Sequence, residues 1–284
     1  MSYNRILMEK KLKEYLIEDN AFIDISSRSI PKDSTTNAKI IAKSDGFLAG
    51  LEELEILFQL LDVNITPKKK DGDEIFTGDI IAELTGRTID ILLGERVGLN
   101  LLSHMSAIST TTRKFVKIIE ESGKNVKIAC TRKTLPGLRI FEKKAVDIGK
   151  GDTHRFNLDD MILLKSTHLK YYNGNVAELL KHTKRNASFT KKIEIELEKV
   201  NDVILAAKNG ADIIMLDNMD PDKVQDAVNL LKRHNLRDQV IIEVSGNITQ
   251  ENIVDYLISG PDIISTSILT QKPTEFVDIS LQFD

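Results

Sequence analysis

From residue 126 onward the chain alternates short apolar runs with amphipathic stretches. Val126 to Thr131, Met161 to Lys165, Lys192 to Leu197, Asp212 to Leu216, Val240 to Val244 and Asp262 to Thr266 read as strands. Between them, Arg139 to Ile148, Val176 to His182, Val200 to Lys208, Pro221 to Arg233 and Gln250 to Ile258 carry apolar residues at helical spacing. Runs such as Ile213-Ile214-Met215-Leu216 are hydrophobic at every position, as in parallel strands covered on both faces. Six such strands alternating with helices predict a βα barrel or a doubly wound sheet. No Gly-x-Gly-x-x-Gly follows any strand, so a dinucleotide-binding version has no support.

The first third has a different rhythm. Ile6 to Ile17 reads as a short amphipathic helix, followed by a polar loop from Asp24 to Thr35. Thr36 to Leu93 is an α+β segment: β-type runs at Ala38 to Ala42, Asp79 to Leu84 and Thr88 to Leu92, a helical run at Leu51 to Leu61, and turns at Asp45-Gly46 and Asp71-Gly72-Asp73. Glu95 to Glu121 is helical in period, with a break expected near Ser106 to Thr112. Lys70 to Gly86 also has the paired turns of a lipoyl or biotinyl carrier, but no lysine stands at the hairpin a carrier would modify.

Composition narrows the function classes. With 41% hydrophobic and 29% charged residues, 284 residues suffice for one large domain or two unequal ones. The 39 Lys and Arg against 43 Asp and Glu leave a net charge of −4, with no electrostatic surplus for nucleic acid. The single cysteine, Cys130, excludes an internal disulfide and a cysteine-based zinc site, and reads as a small buried hydrophobe in a reducing compartment. No signal-peptide core lies between Met1 and Asn20, and no run approaches the roughly 18 apolar residues of a membrane span. A cytoplasmic protein with no membrane or nucleic-acid partner is expected.

Candidate chemistry sits where the strands end. Arg132 and Lys133, Lys165, Glu196, Asp217, Ser245-Gly246, and Ser265 to Ser267 each follow a strand, with 33, 31, 21, 28 and 20 residues between the first positions of successive groups, about one βα unit each. In a barrel these ends open on one face, where barrel active sites lie. The order is chemical: cations on the early strands, carboxylates on the middle ones, hydroxyl and glycine residues on the last two. Guanidinium and ammonium groups suit carboxylate ligands, and a pair of carboxylates with substrate phosphates suits Mg2+. The Ser-Gly turns offer backbone N–H groups and hydroxyls to a phosphate.

Four blocks carry a family likeness: Glu95-Arg96-Val97-Gly98-Leu99-Asn100-Leu101-Leu102, Thr131-Arg132-Lys133-Thr134-Leu135-Pro136-Gly137-Leu138-Arg139, Gly151-Asp152-Thr153-His154-Arg155 and Leu216-Asp217-Asn218-Met219. They resemble quinolinate phosphoribosyltransferases, in order from about Asp24 to Ser280. The resemblance implies an incomplete (α/β) barrel with an N-terminal α+β sandwich domain. It places the N-terminal domain at residues 1–105, with 271–284 packing back on it, and the catalytic barrel at 106–270. It further implies transfer of phosphoribosyl from phosphoribosyl pyrophosphate to quinolinate with decarboxylation, Mg2+, and a homodimer or an oligomer of such dimers.

By the same resemblance Arg132, His154, Arg155 and Lys165 would surround the quinolinate carboxylates, with Arg96 reaching in from the partner subunit. Lys133 would lie between base and sugar-phosphate, Glu196 and Asp217 would bind ribose and metal, and Ser245, Gly246, Asn247, Thr266 and Ser267 would hold the 5-phosphate. Three places depart from the family pattern: Ser166-Thr167 after Lys165 instead of Asp-Asn, Asn247 in the Ser-Gly-Gly turn, and Ser267 instead of glycine. A side chain at 247 or 267 stands where backbone approaches phosphate or φ is positive, although asparagine tolerates left-handed geometry. These departures leave open a different acidic base as acceptor, as in pyrophosphorylase-like proteins associated with molybdate transport, or a non-catalytic phosphoribosyl pyrophosphate or nucleotide sensor. Of the other histidines, His168 follows Lys165 on a loop, and His104, His182 and His234 read as packing or surface residues without partners.

Overall fold

A computed structural model describes residues 4–20 and 24–284. The chain divides into two compact units, one reaching through Arg113 and including Ile140–Lys150 and Pro273–Asp284, the other comprising Lys114–Arg139 and Gly151–Lys272. Among the described residues no helix is long and apolar enough to cross a membrane.

In the first unit α1 (Arg5–Asp19) starts at an Asn4 cap and precedes β1 (Thr35–Ala42), β2 (Gly46–Phe47), α2 (Leu51–Gln59), β3 (Asn64–Pro67), β4 (Glu74–Ile75) and β5 (Ile80–Arg87). The C-terminal strand Ile279–Phe283 returns to pair antiparallel with β1, so the main sheet runs C-terminal strand, β1, β5, β3. The lysine run 68–70 is tied to this sheet, Lys68 to Glu83 at 2.8 Å and Lys69 to Asp79 at 2.7 Å.

Two expectations fail on α3, which spans Thr88–Glu121 without a break. Thr88 to Leu92 is its first turn and not a strand. A Cβ added to Gly94 would come within 2.8 Å of Phe58 and one added to Gly98 within 2.7 Å of Leu54, so two glycines one helical turn apart let α3 lie close on α2. The polar stretch Ser106 to Thr112 is buried, and apart from Ser109, whose Oγ has no hydrogen-bond partner among the described residues, its hydroxyls are engaged. Thr110 and Thr112 donate to the carbonyls of Ser106 and Ile108, and Thr110 Oγ1 and Ser106 Oγ accept the backbone N–H groups of Phe47 and Ala49. α4 (Arg139–Ile148) has the predicted limits and carries buried charges, of which Lys144 pairs with Glu53 at 2.8 Å. Glu142 accepts His104 at 3.0 Å, so His104 has a partner after all.

The second unit holds one parallel sheet. Its strands are β6 (Lys127–Ala129), β7 (Ile162–Leu164), β8 (Ile193–Leu197), β9 (Ile213–Asp217), β10 (Ile241–Ser245) and β11 (Ile263–Ser265), in the order β6-β11-β10-β9-β8-β7. α5 (Ser166–Tyr171), α6 (Val176–Asn186), α7 (Asp202–Lys208), α8 (Pro221–Arg233) and α9 (Ile253–Ile258) lie between them, and α10 (Ile268–Gln271) follows β11. Among the described residues no ladder joins β6 to β7, and a barrel lacking that closure is the incomplete (α/β) barrel expected. Alternation along each strand decides what faces inward. Ile195, Leu197, Ile214, Leu216, Ile242 and Val244 are fully buried on one face, which leaves Glu194, Glu196, Asp217, Glu243 and Ser245 on the other.

Candidate active site

Because all six strands are parallel, their C-terminal ends share one rim. A cavity of about 470 Å³ opens there, and its walls include Arg132, Lys133, His154, Arg155, Lys165, Glu196, Asp217, the Ser245–Asn247 turn, Thr266 and Ser267. Twelve of the thirteen residues singled out in the sequence thus meet around one space. The thirteenth, Arg96, belongs to the first unit, on α3, where its exposed guanidinium lies 3.8 Å from Glu95.

The cationic wall comes from three places. Arg132 and Lys133 follow β6, in a turn where Thr131 Oγ1 accepts the Lys133 N–H at 3.1 Å and Thr270 donates to the Lys133 carbonyl at 2.9 Å. The Arg132 Nε is buried with no hydrogen-bond acceptor of its own. Lys165 follows β7 and its ammonium pairs with Glu196 near the end of β8. Its backbone N–H donates to His168 Nδ1 at 3.0 Å; His168 lies on α5 and not on a loop, and helps to cap that helix. Arg155 reaches the cavity differently. The free edge of β6 is covered by the segment around Asp152, whose N–H donates to the Ile128 carbonyl while its own carbonyl accepts the Cys130 N–H. His154 and Arg155 follow directly. Burial, and then the positive charge of Arg132, hold the Arg155 guanidinium below its usual range, while Glu194, Glu196 and Asp160 oppose that shift.

The opposite wall is built from turns. Asp217 and Ser245 are register partners on β9 and β10. After them Asn218, Gly246 and Asn247 have φ of 53°, 105° and 54°. Gly246 is required twice over, by its positive φ and because a Cβ there would lie 2.3 Å from Asn218 Oδ1. Asn247 adopts the left-handed geometry foreseen for that turn position, whereas Ser267 has φ −78° and needs no glycine. Asn218 donates to Asp217 Oδ2 at 2.8 Å, and the Thr266 hydroxyl donates to the Ile248 carbonyl at 3.1 Å.

Two carboxylates not singled out in the sequence belong to this site, Glu243 in the cavity lining and Glu194 two residues before Glu196 on the same face of β8. Glu194 and Glu243 are fully buried, and with His154 they bring potential ligand atoms within 4.8 Å of one another. His154 Nε2 lies 3.0 Å from Glu243 and 3.7 Å from Glu194. Burial first, and the charge of Glu243 second, push the Glu194 carboxyl up to about 9, so it stays a neutral acid at physiological pH. Both residues could have been found from alternation alone. In Ile193-Glu194-Ile195-Glu196-Leu197 and Ile241-Ile242-Glu243-Val244-Ser245 they share a face with Glu196 and Ser245.

Comparison with known proteins places this geometry. The chain matches the family model described as quinolinate phosphoribosyl transferase, N-terminal domain, over residues 24–106 and that of the C-terminal domain over residues 108–282. The chain belongs to the quinolinate phosphoribosyltransferase family. Two relatives described as probable carboxylating nicotinate-nucleotide pyrophosphorylases are similar along most of their length. That of Archaeoglobus fulgidus is 44% identical over 86% of this chain and 93% of its own, and that of Methanothermobacter thermautotrophicus 39% identical over 95% and 97%. The solved structure of NadC from Streptococcus pyogenes superposes with a TM-score of 0.91 at 33% identity, covering 100% of this chain and 99% of that one.

Proposed function

We propose that this chain transfers the phosphoribosyl group of phosphoribosyl pyrophosphate to quinolinate and releases pyrophosphate and CO2, forming nicotinate mononucleotide for NAD biosynthesis. The observation that carries the proposal is the division of one cavity into a cationic wall, Arg132, Arg155 and Lys165, and a carboxylate and turn wall, Glu196, Asp217, Ser245–Asn247 and Thr266-Ser267. A dicarboxylate needs the first, and a ribose 5-phosphate with a pyrophosphate leaving group needs the second.

In this reading Arg132, Arg155 and Lys165 bind the two carboxylates, and Lys133 sits between base and sugar. The ring nitrogen attacks C1 of the ribose as the C1–O bond to pyrophosphate breaks. Positive charge develops on the sugar, and Glu196 and Asp217 stabilise it electrostatically. The alkylated nitrogen is then cationic. The adjacent carboxylate departs as CO2, its bonding pair stays on the ring carbon beside that nitrogen, and a proton takes its place there. No redox partner is needed. Glu196 and Asp217, two part-buried oxygen donors at neighbouring strand ends, fit Mg2+ held jointly with substrate phosphates, and when bound it would neutralise the pyrophosphate. Ser245, Gly246, Asn247, Thr266 and Ser267 take the 5-phosphate. His154 lines the same wall, and its contacts are considered below.

The proposal extends to residues 1–105 with 271–284 as one domain and 106–270 as the catalytic one; the boundary is supported by family matches that meet between residues 106 and 108 and the return of 271–284 by the pairing of Ile279–Phe283 with β1, while Ile140–Lys150 within the catalytic range belongs to the first compact unit. It extends to a homodimer in which Arg96 serves the partner's site, and to a cytoplasmic enzyme, consistent with its single cysteine, which is buried. The acceptor is tested by supplying quinolinate and nicotinate separately with phosphoribosyl pyrophosphate and Mg2+. Quinolinate should give nicotinate mononucleotide and nicotinate should not; turnover of nicotinate in preference to quinolinate would overturn the assignment.

A further inference from the structure

His154 sits at φ 52°, in the left-handed region that is uncommon for a residue other than glycine. Asp152 accepts its backbone N–H at 2.8 Å. The backbone N–H of Arg155 donates to its Nδ1 at 2.7 Å. A backbone N–H can only donate, so Nδ1 carries no proton and the ring proton lies on Nε2, donated to Glu243 Oε2 at 3.0 Å. Glu194 Oε2, at 3.7 Å, is too distant to compete for it. The other oxygen of Glu243 accepts the Ser265 hydroxyl at 2.6 Å. The chain of bonds runs from β11 through β10 to the segment that delivers Arg155, and it leaves His154 no ring N–H for a substrate.

We infer that Glu243 is a positioning residue: through the neutral, Nε2-protonated form of His154 it fixes the left-handed turn that presents the Arg155 guanidinium to the carboxylate-binding wall. His154 therefore shapes the site without donating to the substrate. The inference rests on the reading of this wall as the quinolinate site.

The test has two arms. In the first, quinolinate binding is measured by calorimetry for the wild type, Glu243→Ala, Glu243→Gln, Arg155→Ala and the Glu243→Ala/Arg155→Ala double variant. Loss of a supporting residue of this kind costs about 10-fold or more, so Glu243→Ala should weaken binding by at least that. Glu243→Gln, whose amide oxygen can still accept the Nε2–H, should stay within about threefold. In the Arg155→Ala background Glu243→Ala should add less than about twofold, because residues acting through one device are not additive. An equal loss in both backgrounds would overturn the inference, since a merely structural role would not depend on Arg155. In the second arm, nitrogen NMR of the free and quinolinate-bound protein should show His154 protonated on Nε2 alone in both states. An imidazolium formed on binding would restore direct substrate contact and end the positioning role. Absence of quinolinate binding by the wild type would count against the substrate reading itself, while the free-protein spectrum would still decide the state of His154.

Discussion

Glu194 and Glu196 stand two residues apart on one face of β8 and have opposite surroundings. Glu194 is fully buried and held as a neutral acid, whereas Glu196 lines the cavity and pairs with Lys165. Glu194→Gln exchanges one neutral planar group for another, so kcat/KM should stay within about threefold of wild type. Glu196→Gln removes a charge from the wall facing the developing cation and should lower kcat/KM by about 100-fold or more. Steady-state kinetics on both variants checks the pair; a larger loss for Glu194→Gln would contradict the assignment of roles. The sequence made Glu196 visible because it ends an apolar run, and hid Glu194 because a carboxylate inside such a run breaks the hydrophobic pattern by which strands are recognised. His154 was legible as a residue of the site from its motif, but its hydrogen-bonding state depends on Glu243, 89 residues away.

At the scale of elements, the βα half was legible because each strand is a short, largely apolar run and the helices between them are amphipathic. α4 and α8 have the limits read from the sequence, and strand ends differ by only a residue or two. α8 was readable for a local reason: Asp220 caps it, accepting the Lys223 N–H at 2.9 Å, with Pro221 in the first turn. Asp220→Ala should therefore cost about 1 kcal/mol, seen as a lower thermal midpoint with kcat unchanged. A loss of activity without loss of stability would mean that Asp220 serves the site. α3 was less legible because its chemistry is tertiary. Gly94 and Gly98 lower local helix propensity but permit close packing on α2, and the Ser and Thr run resembles a break until its hydroxyls are seen to satisfy the backbone of Phe47 and Ala49. The pairing of the C-terminal strand with β1 joins residues more than 230 apart in sequence, which no local pattern encodes.

At the scale of the whole molecule, the proposed dimer makes a prediction of its own. Arg96→Ala and Lys133→Ala proteins, each inactive alone, should regain part of their activity after subunit mixing, because one site of a mixed dimer would carry both native residues. Continued inactivity after exchange, followed by light scattering and labelled subunits, would mean that Arg96 acts within its own chain or is structural. The central claim is the coupling of phosphoribosyl transfer to decarboxylation in the cavity at the strand ends. Its most direct test is to supply quinolinate labelled at the carboxyl beside the ring nitrogen, with phosphoribosyl pyrophosphate and Mg2+, and to measure CO2 and pyrophosphate together. Equal amounts of CO2, pyrophosphate and nicotinate mononucleotide are predicted; pyrophosphate released without CO2, or no release of either, would contradict it.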